Sequence, residues 1–170
     1  MISFDEELIL ESGSQKLSGV VLIYNDKILL IHRLKEGREY YVFPGGGIEN
    51  SETPEQTAVR EVKEETSVDV KLEKLLYRHF YDNGETQYYY LASYISGNPR
   101  MNSDTNEARK MKEDPTALYE PKWYELKDIS QMILYPLEIR DWLIDDLKMG
   151  FNSTPREATI KISELRRNKL

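Results

Sequence analysis

Residues 44–68 read PGGGIENSETPEQTAVREVKEETSV, and this stretch limits the fold more than any other. Thr53 is a strong N-cap, and Pro54 follows at the first helical position, where its missing N–H costs nothing. Gln56, three residues past Thr53, completes a capping box. A helix is therefore predicted from Pro54 to Glu65 or Thr66. At 100° per residue, Ala58, Val59, Val62 and Thr66 fall on one arc, which is expected to face a sheet. Glu61 and Glu65 stack one turn apart and Glu64 lies three from Glu61, so three carboxylates form a patch beside that arc. Arg60 lies on the far side of Glu64.

Strand signals surround this helix. SGVVLIYNDKILLIHR reads as two apolar runs hinged at Asn25-Asp26-Lys27, a hairpin pattern. EYYVFP at 39–44 is a short strand ended by Pro44. Residues 68–81 and TQYYYLASYIS form two more strands around the Asp82-Asn83-Gly84 turn; Tyr88, Tyr90, Ala92 and Tyr94 fall on one face, Tyr89, Leu91, Ser93 and Ile95 on the other. The polar stretch after Ser96 reads as a loop with a short helix near Glu107, and YEPKWYEL as a strand. PLEIRDWLIDDLKMG is a helix opened by Pro136, with Ile139, Trp142, Leu143 and Leu147 on one face and Gly150 at its end. Strands around one helix and before another imply an α/β (or α+β) layered domain, a mixed sheet covered by helices. The whole chain, 1–170, is expected to be one domain, with residues 1–15 a peripheral arm or strand and 151–170 a tail.

A chain of 170 residues buries roughly 70% of its unfolded surface and needs no staples. It has no cysteine, which excludes disulfides and thiolate metal sites. No apolar run approaches the ~20 residues of a membrane span, and the N-terminus is acidic where a secretory signal is basic. A cytoplasmic protein with no membrane partner is expected. The net charge of -7 argues against nucleic acid as a partner. An anionic ligand would then need a cation between it and the protein.

Glu61, Glu64 and Glu65 supply that link. An isolated EVKEE is more often a solvated acidic face, balanced here by Arg60 and Lys63. This patch, however, borders an apolar arc, where unpartnered carboxylates have raised pKa values. A hard divalent cation with oxygen ligands resolves the conflict. Gly45, Gly46 and Gly47, lacking β-carbons, let the backbone come close to a ligand beside the helix.

From Gly46 to Val68 the charged residues stand at fixed intervals: Glu52, Arg60-Glu61, Glu64-Glu65, with aliphatic Val62 and Val68. This resembles the Nudix box, the signature of the Nudix hydrolases, at eight of nine specified positions; Ser67 stands where the family has glycine. The resemblance implies an α/β/α sandwich around a mixed sheet, and hydrolysis of a nucleoside diphosphate linked to another moiety with Mg²⁺ or Mn²⁺. It implies that Glu61, Glu64 and Glu65 are metal ligands, one of them also a base toward water, and that a backbone carbonyl at Gly45 or Gly46 joins them. Arg60 would orient the box glutamates, and Glu52 would pair with Arg60. Glu107 is the expected ligand from outside the box, chosen among Asp104, Glu107, Glu113 and Asp114. A serine in the left-handed conformation that glycine favours at position 67 costs about 1 kcal/mol.

Arg33 and Arg38, at the ends of strands leading to the box, are candidate phosphate contacts beside Gly46 and Gly47. Tyr40, Tyr41, Tyr88, Tyr90 and Phe80 are either base-stacking residues or cross-strand packing. His32 and His79 read as structural. The expected partner is a small nucleotide: a nucleoside triphosphate or a nucleotide sugar. A homodimer is compatible with the family. The competing function is a Nudix-fold module that binds a nucleotide without turnover.

Overall fold

The computed structural model describes residues 16–162; the arm before them and the basic end of the tail lie outside the described residues. The hairpin forms as expected. Strands β1 (Leu17–Tyr24) and β2 (Lys27–Lys35) flank Asn25 and Asp26, whose φ angles of 51° and 58° make the two-residue turn that suits twisted strands. There follow β3 (Arg38–Val42), β4 (Gly45–Gly47), helix α1 (Pro54–Thr66), β5 (Asp69–Tyr81), β6 (Thr86–Ser96), α2 (Asn106–Glu113), β7 (Leu118–Glu125), a 3-10 helix at Leu126–Gln131, β8 (Leu134–Tyr135), α3 (Leu137–Met149) and β9 (Arg156–Ile160).

The sheet is mixed. Its order is β8-β3-β2-β1-β6-β5-β9, with β4 also on β1 and β7 also on β2. The pairs β1–β6, β3–β8 and β5–β9 are parallel. Side chains alternating along β1 divide the core in two. Val20 and Leu22 join Ala58 and Val62 of α1 on one face; Val21 joins Ile139 and Leu143 of α3 on the other. The result is an α/β/α sandwich. Among the described residues no helix is long and apolar enough to cross a membrane.

Helix α1 starts where its caps require: Thr53 accepts from the Gln56 amide and Gln56 returns the bond. Its buried face, however, is rolled from the expected arc. Val59 is 40% exposed, while Thr57, Ala58, Val62 and Thr66 are buried. The roll turns Glu65 toward the sheet, where Gly45 and Tyr119 supply hydrogen bonds. Ser67 takes the left-handed conformation (φ 62°) that glycine would have taken. Its N–H donates to Lys63 O and its hydroxyl to Arg100 O, 3.1 Å away.

Two further expectations shift. In α3 the core residue next to Leu143 is Asp146, 3% exposed, and Leu147 sits at the rim. Asp146 accepts from the Tyr77 hydroxyl at 2.9 Å and pairs with Arg156. Arg156 belongs to β9, so the segment read as tail contributes a strand beside β5. His79 is buried against Trp142, with Glu138 Oε2 3.0 Å from its Nε2, and burial lowers its pKa to about 4. His32 stacks on Tyr41 and meets Glu39.

Candidate active site

A cavity of about 890 Å³ opens between β4, the acidic edge of α1, the start of α2 and the strands β2, β6 and β7. Gly45, Gly46, Gly47, Arg33, Arg60, Glu61, Glu64, Glu65 and Glu107 all line it. The register explains the assembly. β1 pairs Leu17 with Gly47 on one side and with Gln87 on the other, so the glycine strand and β6 flank one row. β4 is held so close to β1 that a β-carbon on Gly45 would lie 2.5 Å from Gly19 Cα and Ser18 O. A β-carbon on Gly46 would lie 2.4 Å from the Glu61 carboxyl carbon. The absent side chain is thus the seat of a carboxylate.

Arg60 is the hub of the acidic edge. Its Nε donates to Glu52 Oε1 at 2.7 Å and its Nη2 to Glu52 Oε2 at 2.9 Å, a two-pronged pair. Its Nη1 donates to Glu61 at 2.8 Å and to Glu64 at 3.1 Å, and its Nη2 also to the Gly47 carbonyl at 3.2 Å. Hydrogen bonds from Arg60 and Thr57 hold the Glu52 carboxyl down at about 2. Glu52 is therefore a fixed anion that orients Arg60, and Arg60 orients two box glutamates. Glu64 stands at the rim, its side chain 52% exposed.

Glu65 differs from these. The Gly45 N–H donates to its Oε2 at 2.8 Å, and the Tyr119 hydroxyl donates to its Oε1. Both donors are neutral, and its charged neighbours Glu61 and Glu107 repel it. Burial, only partly offset by the two hydrogen bonds, pushes its pKa up to about 8. Burial raises the Glu61 carboxyl as well, against the pull of Arg60.

These facts bear on whether a cation suits the site. Among the described residues no three His, Cys, Asp or Glu side chains are already gathered tightly enough to hold an ion. The donor set nevertheless fits a hard divalent ion. Six carboxylates line one cavity, Glu49, Glu61, Glu64, Glu65, Asp104 and Glu107; burial raises the pKa values of Glu61 and Glu65, and Glu61 is seated on bare backbone.

Other expectations sort by position. Arg33 reaches the cavity; Arg38 is not among the lining residues and sits opposite Lys35 at the far end of β3. Asp104 lines the cavity with Glu107, whereas Glu113 and Asp114 do not. Of the aromatics, Tyr40 is buried, and Tyr90 faces α1, donating to Glu55 at 2.9 Å. None of Tyr40, Tyr41, Tyr88, Tyr90 and Phe80 lines the cavity; Phe43, Tyr89, Tyr119 and Tyr135 do. Phe43 and Tyr89 meet edge to face at 5.6 Å. The period-2 pattern of β6 already put Tyr89 opposite Tyr88 and Tyr90, so choosing the other face would have found it.

Comparison with known proteins is consistent with this geometry. The family model of the NUDIX domain matches residues 15–143. Over 75 residues the chain is 41% identical to "Putative 8-oxo-dGTP diphosphatase YtkD" of Bacillus subtilis (strain 168), a match spanning 44% of this chain and 44% of that relative, less than half of its length. A NUDIX hydrolase from Nitrosomonas europaea superposes with a TM-score of 0.65 at 18% identity, over 86% of this chain and 78% of that one. The MutT NUDIX hydrolase from Burkholderia pseudomallei gives a TM-score of 0.54 at 26% identity, over 74% and 94%.

Proposed function

Because the chain belongs to the Nudix family, we propose that this Nudix hydrolase cleaves the diphosphate linkage of a nucleoside diphosphate derivative, with Mg²⁺ or Mn²⁺ as cofactor. One observation carries the reading: Glu61, Glu64, Glu65 and Glu107 converge on one cavity that also holds Arg33 and the bare backbone of β4. A nucleoside triphosphate is the preferred substrate class, supported by the name of the Bacillus subtilis relative.

The residues divide the work. Glu61, Glu64 and Glu65, with Glu107 from α2, would hold the cation. Bound there, a divalent ion neutralises the diphosphate and lowers the pKa of water. Glu52 fixes Arg60, and Arg60 keeps Glu61 and Glu64 on the cavity side of α1. Glu65 Oε2 rests on the Gly45 amide, 2.8 Å away, which fixes the carboxylate at the cavity wall. Arg33 faces the phosphates as a planar cation. Phe43 and Tyr89 offer ring faces to a base.

The test is a turnover panel of nucleoside triphosphates, nucleotide sugars and dinucleotides with Mg²⁺ or Mn²⁺, products identified by mass. Release of a nucleotide and phosphate or pyrophosphate is expected. Ligand-dependent thermal shifts without turnover would replace this reading with the binding-only module.

A further inference from the structure

We propose that Tyr119 is a two-ended positioning residue, its hydroxyl fixing Glu65 for the cation and its ring fixing Arg33 for the phosphates. The inference rests on the functional reading above and extends it to a residue outside the box, 54 positions after Glu65 in the chain.

The geometry is specific. Tyr119 on β7 is 7% exposed yet lines the cavity. The sheet register sets it directly opposite Arg33 on β2, and sets Arg33 opposite Tyr40 on β3. Three adjacent strands thus present Tyr119, Arg33 and Tyr40 in one row. The Arg33 guanidinium lies 5.1 Å from the Tyr119 ring centroid and 5.7 Å from that of Tyr40, within the range of cation–π attraction. Arg33 Nε is buried without a hydrogen-bond partner, so the flanking rings guide the group where hydrogen bonds at Nε do not. At the other end of Tyr119, the hydroxyl donates to Glu65 Oε1 while the Gly45 amide takes Oε2. The carboxylate is pinned at both oxygens, one from β7 and one from β4.

A purely packing tyrosine would need neither contact. Removing the hydroxyl alone frees one oxygen of Glu65 and leaves Arg33 between its rings. Removing the ring disturbs both. The two ends therefore separate in two variants of the full chain.

The experiment measures Mn²⁺ binding without nucleotide, by electron paramagnetic resonance of the free ion, beside kcat and KM for the best triphosphate of the panel at saturating Mn²⁺. Tyr119→Phe is expected to weaken Mn²⁺ binding about 10- to 100-fold, the usual effect of losing a partner that orients a ligand, with KM unchanged. Tyr119→Leu is expected to add a KM increase of about tenfold as Arg33 loses its ring. If Tyr119→Leu does not fold, Arg33→Lys carries that arm: it keeps the charge but not the planar face, so KM should rise with Mn²⁺ binding unchanged. Wild-type turnover is measured first. No turnover there overturns the functional reading. Turnover together with unchanged Mn²⁺ binding in Tyr119→Phe overturns the hydroxyl's role, and an unchanged KM in the second arm overturns the ring's.

Discussion

Two carboxylates sit on helices that cover opposite faces of the same sheet, and each accepts a hydrogen bond from a tyrosine hydroxyl. Asp146 on α3 takes Tyr77, and Glu65 on α1 takes Tyr119. Their second partners differ. Asp146 has the Arg156 guanidinium, which closes the local charge and ties β9 to α3. Glu65 has only a backbone amide, with two further acids nearby, and burial pushes its pKa up to about 8. The same residue chemistry is thus closed by a built-in cation at Asp146 and left without one at Glu65.

The comparison can be broken in order of expected effect. Glu65→Gln should lower turnover about 10²- to 10³-fold. In metal-free protein at pH 8 and above it should raise the melting temperature by about a few degrees, since it deletes an uncompensated buried charge. Steady-state kinetics and calorimetry read the two effects; a variant that melts lower without metal would contradict the contrast. Asp146→Asn should do the opposite. It leaves Arg156 without its counter-charge and should cost about 2–4 kcal/mol in denaturant unfolding, while kcat/KM of the folded protein stays within about twofold.

A smaller effect concerns pH. Glu65 has a raised folded pKa, so between its ordinary value and about 8 the folded chain binds more protons than the unfolded one, and stability falls as pH rises. His79, lowered to about 4, acts in the other direction between about 4 and 6.5 and is neutral in both states above that. Above pH 6.5 His79 no longer opposes the Glu65 slope, and the raised Glu61 carboxyl acts in the same direction as Glu65. Metal-free protein should lose about 1.5–2 kcal/mol between pH 6.5 and 8. Saturating Mg²⁺ or Glu65→Gln should flatten the slope, as urea titrations at several pH values would report. Smallest is Ser67→Gly. Relief of the left-handed φ, set against loss of the hydroxyl bond to Arg100, should change stability by less than about 1 kcal/mol.

Much of this arrangement was legible in the chain. Thr53, Pro54 and Gln56 act within one helical turn, so the limits of α1 follow from local chemistry. The spacing of Glu61, Glu64 and Glu65 is local too, and all three line the cavity. What local patterns do not contain is which strands lie side by side. Tyr119 faces Arg33 because β7 adds to β2 antiparallel, a pairing across more than eighty residues. Val59 was expected inside because aliphatic residues favour burial. The helix instead rolls Glu65 inward, where hydrogen bonds from β4 and β7 await it. Asp146 takes the buried place expected of Leu147 for the same reason: its partners Tyr77 and Arg156 come from β5 and β9.

The contact between Gly46 and Glu61 sets a steric requirement on this enzyme beside its charge requirement. One added methyl at position 46 would push the carboxylate off its seat while leaving every acid in the chain untouched. Sequence variants that keep all the glutamates but change this glycine are thus expected to fold with Glu61 displaced and turnover reduced, so an intact set of acids is not enough to mark a fully active relative.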